Sequence, residues 1–162
     1  MTRPRRIVDR VEEPIDRSGA RVIVLDPDDR VLLLYYEGDG PHWVTPGGGV
    51  EDGETYEHAA RRELFEELGL VDAALEPLNW TRFATASWGG KTYRGREWYF
   101  ATRVPDGFTV LLTDAGDCRW WSLSELAAAR VGGVVIWPER LEEHLLSYLE
   151  RGAPTEPLDL GA

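Results

Sequence analysis

The spacing of apolar positions predicts paired strands near the start of the chain. Arg21–Leu25 and Val31–Tyr36 are runs rich in β-branched and aromatic residues, a composition typical of strands. Residues 26–29, Asp-Pro-Asp-Asp, separate the two runs and combine a preset proline φ with side chains that bond the backbone of turns. We therefore predict a β-hairpin, followed by a short apolar step at Trp43–Thr45.

The segment after a glycine-rich stretch predicts the most regular helix of the chain. Residues 56–68 contain neither Pro nor Gly, and apolar side chains recur there at helical spacing. These apolar positions are Ala59, Ala60, Leu64 and Leu68. Thr55 precedes the segment as an N-cap, and Gly69 follows it as a C-terminal stop.

Strand-like patterns return in the second half of the chain. Trp80–Ser87 and Tyr93–Val104 have the composition of two long strands, joined through Gly89-Gly90-Lys91. Arg119–Leu123 predicts a shorter strand. Strands interrupted by a central helix indicate a mixed α/β layered fold.

Two helices are predicted near the end of the chain. Ser124 is placed to cap a brief helix over Glu125–Arg130. Pro138 is placed as the first residue of a last helix that runs to about Arg151, with leucines on one face.

The length of 162 residues is that of one ordinary domain. We expect an N-terminal arm or edge strand over residues 1–20, with strand character near Ile7–Val11. A single domain over residues 21–152 and a loose C-terminal tail over residues 153–162 complete this division.

Composition limits the cellular compartments and the classes of binding partner that we expect for this protein. The chain carries 18 basic and 29 acidic residues, a formal net charge of -11, which is the wrong sign for general binding of nucleic-acid phosphates. Its one cysteine, Cys118, cannot form an internal disulfide. No apolar run approaches the roughly 18 residues of a membrane helix. We expect a cytoplasmic protein without a membrane partner.

Acidic residues concentrate between Gly47 and Leu70, a segment that contains seven acidic residues and two arginines. A solvated acidic helix face is the ordinary explanation of such a run. Glu63, Glu66 and Glu67, however, are three and four positions apart, so their carboxylates share one stripe and repel one another. Mg²⁺ prefers carboxylate oxygens and takes further ligands from substrate phosphates. The spacing therefore predicts a Mg²⁺ site for phosphoryl chemistry.

The glycine-rich stretch allows a rival interpretation as a phosphate-binding loop. Gly48 and Gly53 have the spacing of a P-loop before a helix. The next position must then be a lysine that reaches the phosphates, but it is Glu54, which has the opposite charge. We reject the ATPase interpretation on this mismatch.

A longer pattern fits the same residues. Gly48 is followed after five residues by Glu54, and after seven more by Arg-Glu-Leu-Phe-Glu-Glu-Leu-Gly-Leu over residues 62–70. This resembles the Nudix box without a departure, over 23 of the 162 residues. The resemblance implies an α/β/α sandwich with a central mixed sheet, and hydrolysis of a diphosphate linkage in a nucleoside diphosphate derivative.

The resemblance also assigns roles within the box. Glu63, Glu66 and Glu67 are then the ligands of Mg²⁺, or of Mn²⁺, with the backbone carbonyl of Gly47 as an additional ligand. Arg62 and Glu54 form the supporting pair, in which a guanidinium orients the carboxylates and restrains their repulsion. The implied reaction is in-line attack of a metal-activated water on one phosphorus.

The general base is not assigned by the box, because similar enzymes place it in different elements. Glu97 is our candidate, since a carboxylate amid the aromatic residues of a long strand is costly to bury without a partner. The alternative is an exposed strand carboxylate, or an ion pair with Arg94 or Arg96.

Substrate contacts outside the box are weaker hypotheses. Trp43 precedes the box and could stack on a base, although core packing is the ordinary fate of such a residue. Arg82, Arg94 and Arg96 could reach substrate phosphates from the strands, or could be solvated strand residues.

Two function classes follow from the sequence. The first is a Nudix-type pyrophosphohydrolase acting on a small nucleotide-type substrate. The second is a Nudix-fold module that binds a nucleotide without cleaving it, which does not require the complete carboxylate set. The substrate stays open, although the acidic charge disfavours RNA ends, and the resemblance leaves a homodimer open.

Overall fold

The computed structural model describes residues 12–113 and 116–162. The described helices are α1 Tyr56–Leu68, α2 Leu123–Val131 and α3 Leu141–Arg151. The described strands are β1 Ile15–Asp16, β2 Gly19–Leu25, β3 Val31–Tyr36, β4 His42–Val44, β5 Gly47–Gly49, β6 Glu76–Trp88, β7 Lys91–Arg103, β8 Asp117–Trp121, β9 Ile136–Trp137 and β10 Leu158–Asp159. The strand character expected near Ile7–Val11 lies outside the described residues.

The described strands join into one mixed sheet. Its main path runs β10-β6-β7-β2-β3-β4-β9, and β1, β5 and β8 pair with β7, β2 and β3. Strand β2 is central: it is parallel to β7 and antiparallel to β3 and β5. Both edges of β2 are therefore paired, and helices pack on both of its faces, which explains its nearly continuous apolar sequence.

Helices cover the two faces of the sheet. On one face, α1 buries its apolar stripe, including Leu64 and Leu68, against Val22 and Phe100. On the other face, α2 and α3 bury leucines such as Leu145 beside the opposite side of β2. This arrangement confirms the predicted α/β/α sandwich with a mixed sheet. No helix in the described parts of the chain is long and apolar enough to cross a membrane.

Helix α1 begins and ends where the sequence predicts. The Thr55 hydroxyl accepts a hydrogen bond from the backbone N–H of His58 at 3.1 Å, and Gly69 takes the left-handed conformation with φ 68°. Both ends of the helix that carries the box are thus fixed by local chemistry.

The predicted hairpins are present, with shifted bounds. Asp26 closes the first turn, because its carboxylate accepts from the backbone N–H groups of Asp28 and Arg30. The second hairpin is longer than predicted: β6 and β7 pair up to a turn at Gly89 and Gly90, both at positive φ.

Two helix starts differ from the predictions. The cap of α2 is Ser122 rather than Ser124, because Ser122 and Glu125 form a reciprocal capping box. Helix α3 begins at Leu141 rather than at Pro138, because Arg140 takes a left-handed conformation with φ 56° that separates Pro138 from the helix.

The C-terminal tail is ordered, in contrast to the loose tail that we expected after Gly152. Leu158–Asp159 forms β10 and pairs in parallel with β6 at Trp80 and Thr81. Leu160 donates its N–H to the Thr81 carbonyl at 2.7 Å, and the Gly161 carbonyl accepts from the N–H of Phe83 at 3.1 Å. The tail therefore extends the sheet at its β6 edge.

Deleting residues 157–162 should lower stability, because it removes this strand and its main-chain hydrogen bonds. At about 1 kcal/mol net per bond, we expect a loss of about 1–3 kcal/mol in the free energy of unfolding. Urea denaturation measures it, and deletion of Ala162 alone is the matched control. An unchanged denaturation midpoint would show that the pairing contributes nothing.

Candidate active site

Arg62 organises the acidic surface of α1. Its Nη1 donates to Glu63 Oε1 at 2.8 Å and to Glu66 Oε2 at 3.3 Å. Its Nε and Nη2 donate to the two oxygens of Glu54 at 2.9 and 3.0 Å, and Nη2 also donates to the Gly49 carbonyl. One guanidinium thus joins three carboxylates to the glycine-rich turn, which is the fork geometry that arginine supplies.

The pair of Arg62 and Glu54 is held in its charged form. The side-chain hydrogen bonds from Arg62 lower the pKa of Glu54 to about 2. The same bonds raise the pKa of Arg62 above its ordinary value. The support for the box is therefore a permanent ion pair throughout the neutral pH range.

The glycines before α1 let the backbone approach neighbouring groups closely. Gly47 has φ 138°, and a side chain at this position would overlap the Ala20 carbonyl. A side chain at Gly48 would overlap the Glu63 carboxylate. Strand β5 pairs with β2 here, with Gly47 opposite Arg21. Glycine is required at position 47 because the glycine-rich turn, which is strand β5, runs between β2 and α1 without room for a Cβ.

Glu67 is bound to this turn rather than to Arg62. Its Oε2 accepts from the Gly47 N–H at 2.8 Å, and its Oε1 accepts from the Tyr36 hydroxyl at 3.1 Å. Burial raises the pKa of Glu67 to about 7, despite the opposing effects of the Gly47 bond and of Arg21. Without a bound cation, this carboxyl would therefore hold a proton over part of the neutral pH range.

The carboxylates of the box fit a hard divalent cation in their chemistry, although in this structure they accept hydrogen bonds from other protein groups. Glu63, Glu66 and Glu67 offer carboxylate oxygens at one end of α1, the donors that Mg²⁺ and Mn²⁺ take. Among residues 12–113 and 116–162, no three acidic, histidine or cysteine side chains form a ready metal cage. A bound cation would neutralise Glu67 where burial now disfavours its charge.

Glu97 lies in β7 next to this site, with both oxygens engaged. Its Oε1 accepts from Arg21 Nε at 2.7 Å, and its Oε2 accepts from Arg82 Nη1 at 3.1 Å. Burial opposes ionisation, but the two guanidinium charges outweigh it and hold the pKa of Glu97 below its ordinary value. The ion-pair partners are thus Arg21 and Arg82, not the Arg94 or Arg96 that we considered.

This environment weakens the hypothesis that Glu97 is the general base. A base must accept a proton from water, and the ideal pKa for that task lies near the operating pH. Glu97 has a lowered pKa, and each of its oxygens accepts from a guanidinium. A structural use of the carboxylate fits these contacts better.

The other predicted substrate contacts are spread over the sheet. Arg94 pairs with Asp16 at 2.8 Å on the surface, and Arg96 donates to the Thr81 hydroxyl at 3.1 Å. Arg82 is buried, and its guanidinium lies 4.6 Å from the centre of the Trp137 ring. The structure brings Arg82 to Glu97 and leaves Arg94 and Arg96 in separate contacts.

Trp43 combines core packing with a cavity wall. Its ring is half-buried between Tyr35 and Trp121, with ring centres 5.1 and 5.2 Å away. It also lines a cavity of about 430 Å³ between the β3–β4 loop and β9, together with His42 and Trp137. None of the residues that line this cavity belongs to the box.

Two contributors were missed by the sequence analysis. Arg21 interrupts the apolar run of β2, and Tyr36 ends the apolar run of β3. Arg21 Nη1 donates to the Thr45 and Gly47 carbonyls, both at 3.2 Å. In the sequence, Arg21 differs from its neighbours only as a single charge within an apolar strand. A charge buried there is destabilising unless it is paired, and this could have pointed to a partner.

Comparison with solved structures identifies the class of fold. The structure of a MutT protein from Methanosarcina mazei Go1 has a TM-score of 0.62 at 17% sequence identity, covering 86% of this chain and 96% of that chain. At this identity the likeness concerns the fold alone.

Comparison of sequences identifies the family. A model of the NUDIX domain matches residues 16–137. An uncharacterized Nudix hydrolase, orf19, from Rhodococcus erythropolis is 33% identical over 145 residues, 75% of this chain and 78% of that protein. An RNA pyrophosphohydrolase from Caulobacter vibrioides is 40% identical over 67 residues, 40% of this chain and 39% of that protein's length. The chain belongs to the Nudix family.

The pKa of Glu67 predicts a pH-dependent stability in the absence of metal. The group ionises at 4.5 when unperturbed and at about 7 when folded. Between these values the folded state keeps a proton that the unfolded state has released. Stability contributed by this group is therefore lost as pH rises from about 5 to 8.

Glu67→Gln removes this titration, so in EDTA the variant should be more stable than the wild type at pH 8. We expect a difference of about 1–3 kcal/mol in the free energy of unfolding at pH 8 that fades near pH 5. Urea denaturation across this range measures it. Glu57→Gln, at an exposed position of the same helix, is the matched control. A difference that is independent of pH would contradict the prediction.

Proposed function

We propose that this protein is a Mg²⁺-dependent pyrophosphohydrolase that cleaves a diphosphate linkage in a nucleoside diphosphate derivative. One observation carries the proposal: three carboxylates lie at the end of α1 against the glycine-rich turn. Arg62 donates to Glu63 and Glu66. The Gly47 N–H donates to Glu67. Three carboxylates along one helix stripe beside a backbone carbonyl favour a cation-dependent function over a structural one.

Each protein group has a role in this proposal. Glu63, Glu66 and Glu67, with the Gly47 carbonyl, hold the cation. Arg62 keeps the carboxylates oriented, since it bonds Glu63 and Glu66 through one nitrogen while Glu54 fixes its other edge. Bound Mg²⁺ supplies charge neutralisation for the diphosphate and lowers the pKa of the attacking water.

Protein groups also prepare the surroundings of the reacting phosphates. Residues 47–49 are glycines that bring the backbone against Glu63 and Glu67, so main-chain groups rather than side chains lie beside the proposed cation. The aromatic cavity beside Trp43 is our candidate for the nucleoside part of the substrate, because rings of that kind stack on bases. The nucleobase that the enzyme prefers is set by side chains outside the box.

A panel of substrates with matched variants tests the proposal. The panel comprises nucleoside triphosphates, nucleotide sugars, ADP-ribose, NADH, diadenosine polyphosphates and a 5′-triphosphorylated RNA. The wild type should cleave one class in Mg²⁺ and lose activity in EDTA. Glu66→Gln and Glu67→Gln should each lower kcat/KM by about 100-fold, as loss of a metal ligand does.

Glu57→Gln is the control, because Glu57 lies on α1 but pairs with Arg61 on the exposed side. It should keep the wild-type rate. Full Mg²⁺-dependent turnover by folded Glu66→Gln and Glu67→Gln would refute the metal assignment. Tight nucleotide binding without turnover across the panel would favour the alternative, a binding module of the same fold.

A further inference from the structure

We propose that Arg21 is a positioning residue of this site: it fixes the Gly47 peptide for the metal and for Glu67, while Glu97 and Arg82 fix Arg21. The inference rests on the proposed function for the metal role of the Gly47 carbonyl. It assigns Glu97 to the support of the site instead of proton transfer.

The contacts of Arg21 lead directly to the metal-binding turn. Its Nε donates to Glu97, and its Nη1 donates to the carbonyls of Thr45 and Gly47, both at 3.2 Å. The guanidinium side chain is only 18% exposed. A charge so placed is destabilising unless these partners hold it, so the three contacts act as a set.

The Gly47 residue links Arg21 to the catalytic helix. Its carbonyl accepts from Arg21, and its N–H donates to Glu67 at 2.8 Å. The turn over residues 47–49 has no side chains of its own, and Gly47 has a φ of 138° that only glycine adopts freely. The pairing of β5 with β2 holds the backbone at residues 47–49, and Arg21 adds a hydrogen bond to the Gly47 carbonyl from β2.

A second guanidinium holds the far side of Glu97. Arg82 donates to Glu97 Oε2 at 3.1 Å, packs on the Trp137 ring, and has a side chain only 9% exposed. The Tyr99 hydroxyl also faces Oε2, at 3.4 Å. Glu97 is thus fixed from β6 and β7 at once, which leaves Oε1 for Arg21. The contacts form one path from Arg82 through Glu97 and Arg21 to the turn.

Binding of Mn²⁺ alone, followed by electron paramagnetic resonance, tests this path without relying on turnover. Arg21→Met should weaken Mn²⁺ binding by about 10-fold, within the range found for groups that orient metal ligands. Arg21→Lys keeps the charge but cannot reach both Glu97 and the carbonyls, so it should lie between Arg21→Met and the wild type. Glu97→Gln should weaken binding to a similar degree.

The double variant Arg21→Met/Glu97→Gln should bind Mn²⁺ no more weakly than the worse single variant, because both changes break one path. Arg103→Met is the control: Arg103 also lies on the sheet, but pairs with Asp29 at the other end of β7. It should bind Mn²⁺ as the wild type does. Circular dichroism and a denaturation curve establish that each variant is folded.

Two results would overturn the inference. Wild-type Mn²⁺ affinity in folded Arg21→Met and Arg21→Lys would show that Arg21 does not position the turn. If instead Glu97→Gln keeps Mn²⁺ affinity, strongly lowers kcat and removes the acidic limb from the pH profile of the remaining kcat, Glu97 is the general base. If no substrate of the panel is cleaved, the Mn²⁺ titrations still measure the effect of Arg21 on metal binding. The inference and the proposed function can therefore be refuted independently.

Discussion

Repulsion among the carboxylates of α1 is the constraint on which the arrangement of this molecule depends. Glu63, Glu66 and Glu67 share one helix stripe, and other protein groups must offset their mutual repulsion. They do so in two different ways: Arg62 binds Glu63 and Glu66, while Gly47 and Tyr36 bind Glu67. The pKa of Glu67 is raised chiefly by burial and to a smaller extent by the charge of Glu63. A bound cation would offset both effects.

The glycine-rich turn is placed by the sheet rather than by its own sequence. Strand β5 pairs with β2, and this pairing sets Gly47 opposite Arg21 and brings its N–H toward Glu67. A side chain at Gly47 or Gly48 would collide with the strand or with Glu63. The turn can therefore join the helix carboxylates to the strand arginine only because it lacks side chains.

Local chemistry explains how much of the fold was predictable. The ends of α1 follow from Thr55 and Gly69, and the first hairpin follows from Asp26, whose partners lie within four residues. Prediction failed in two ways. In one, a neighbouring residue made the cap instead, as Ser122 does in place of Ser124 at the start of α2. In the other, the pairing strand is distant in the sequence. The order of the tail was not predicted because its partner strand, β6, lies more than 70 residues away in the sequence.

The sequence by itself determined the box, the helix that carries it and the layered fold class, because these depend on residue types at short spacing. Only the tertiary structure decided which groups surround the box. Arg21 and Glu97 are 76 positions apart, and they meet because β2 and β7 are neighbours in register, with Gly19 opposite Glu97. Register between distant strands is set by the packing of the whole sheet, and no local pattern encodes it.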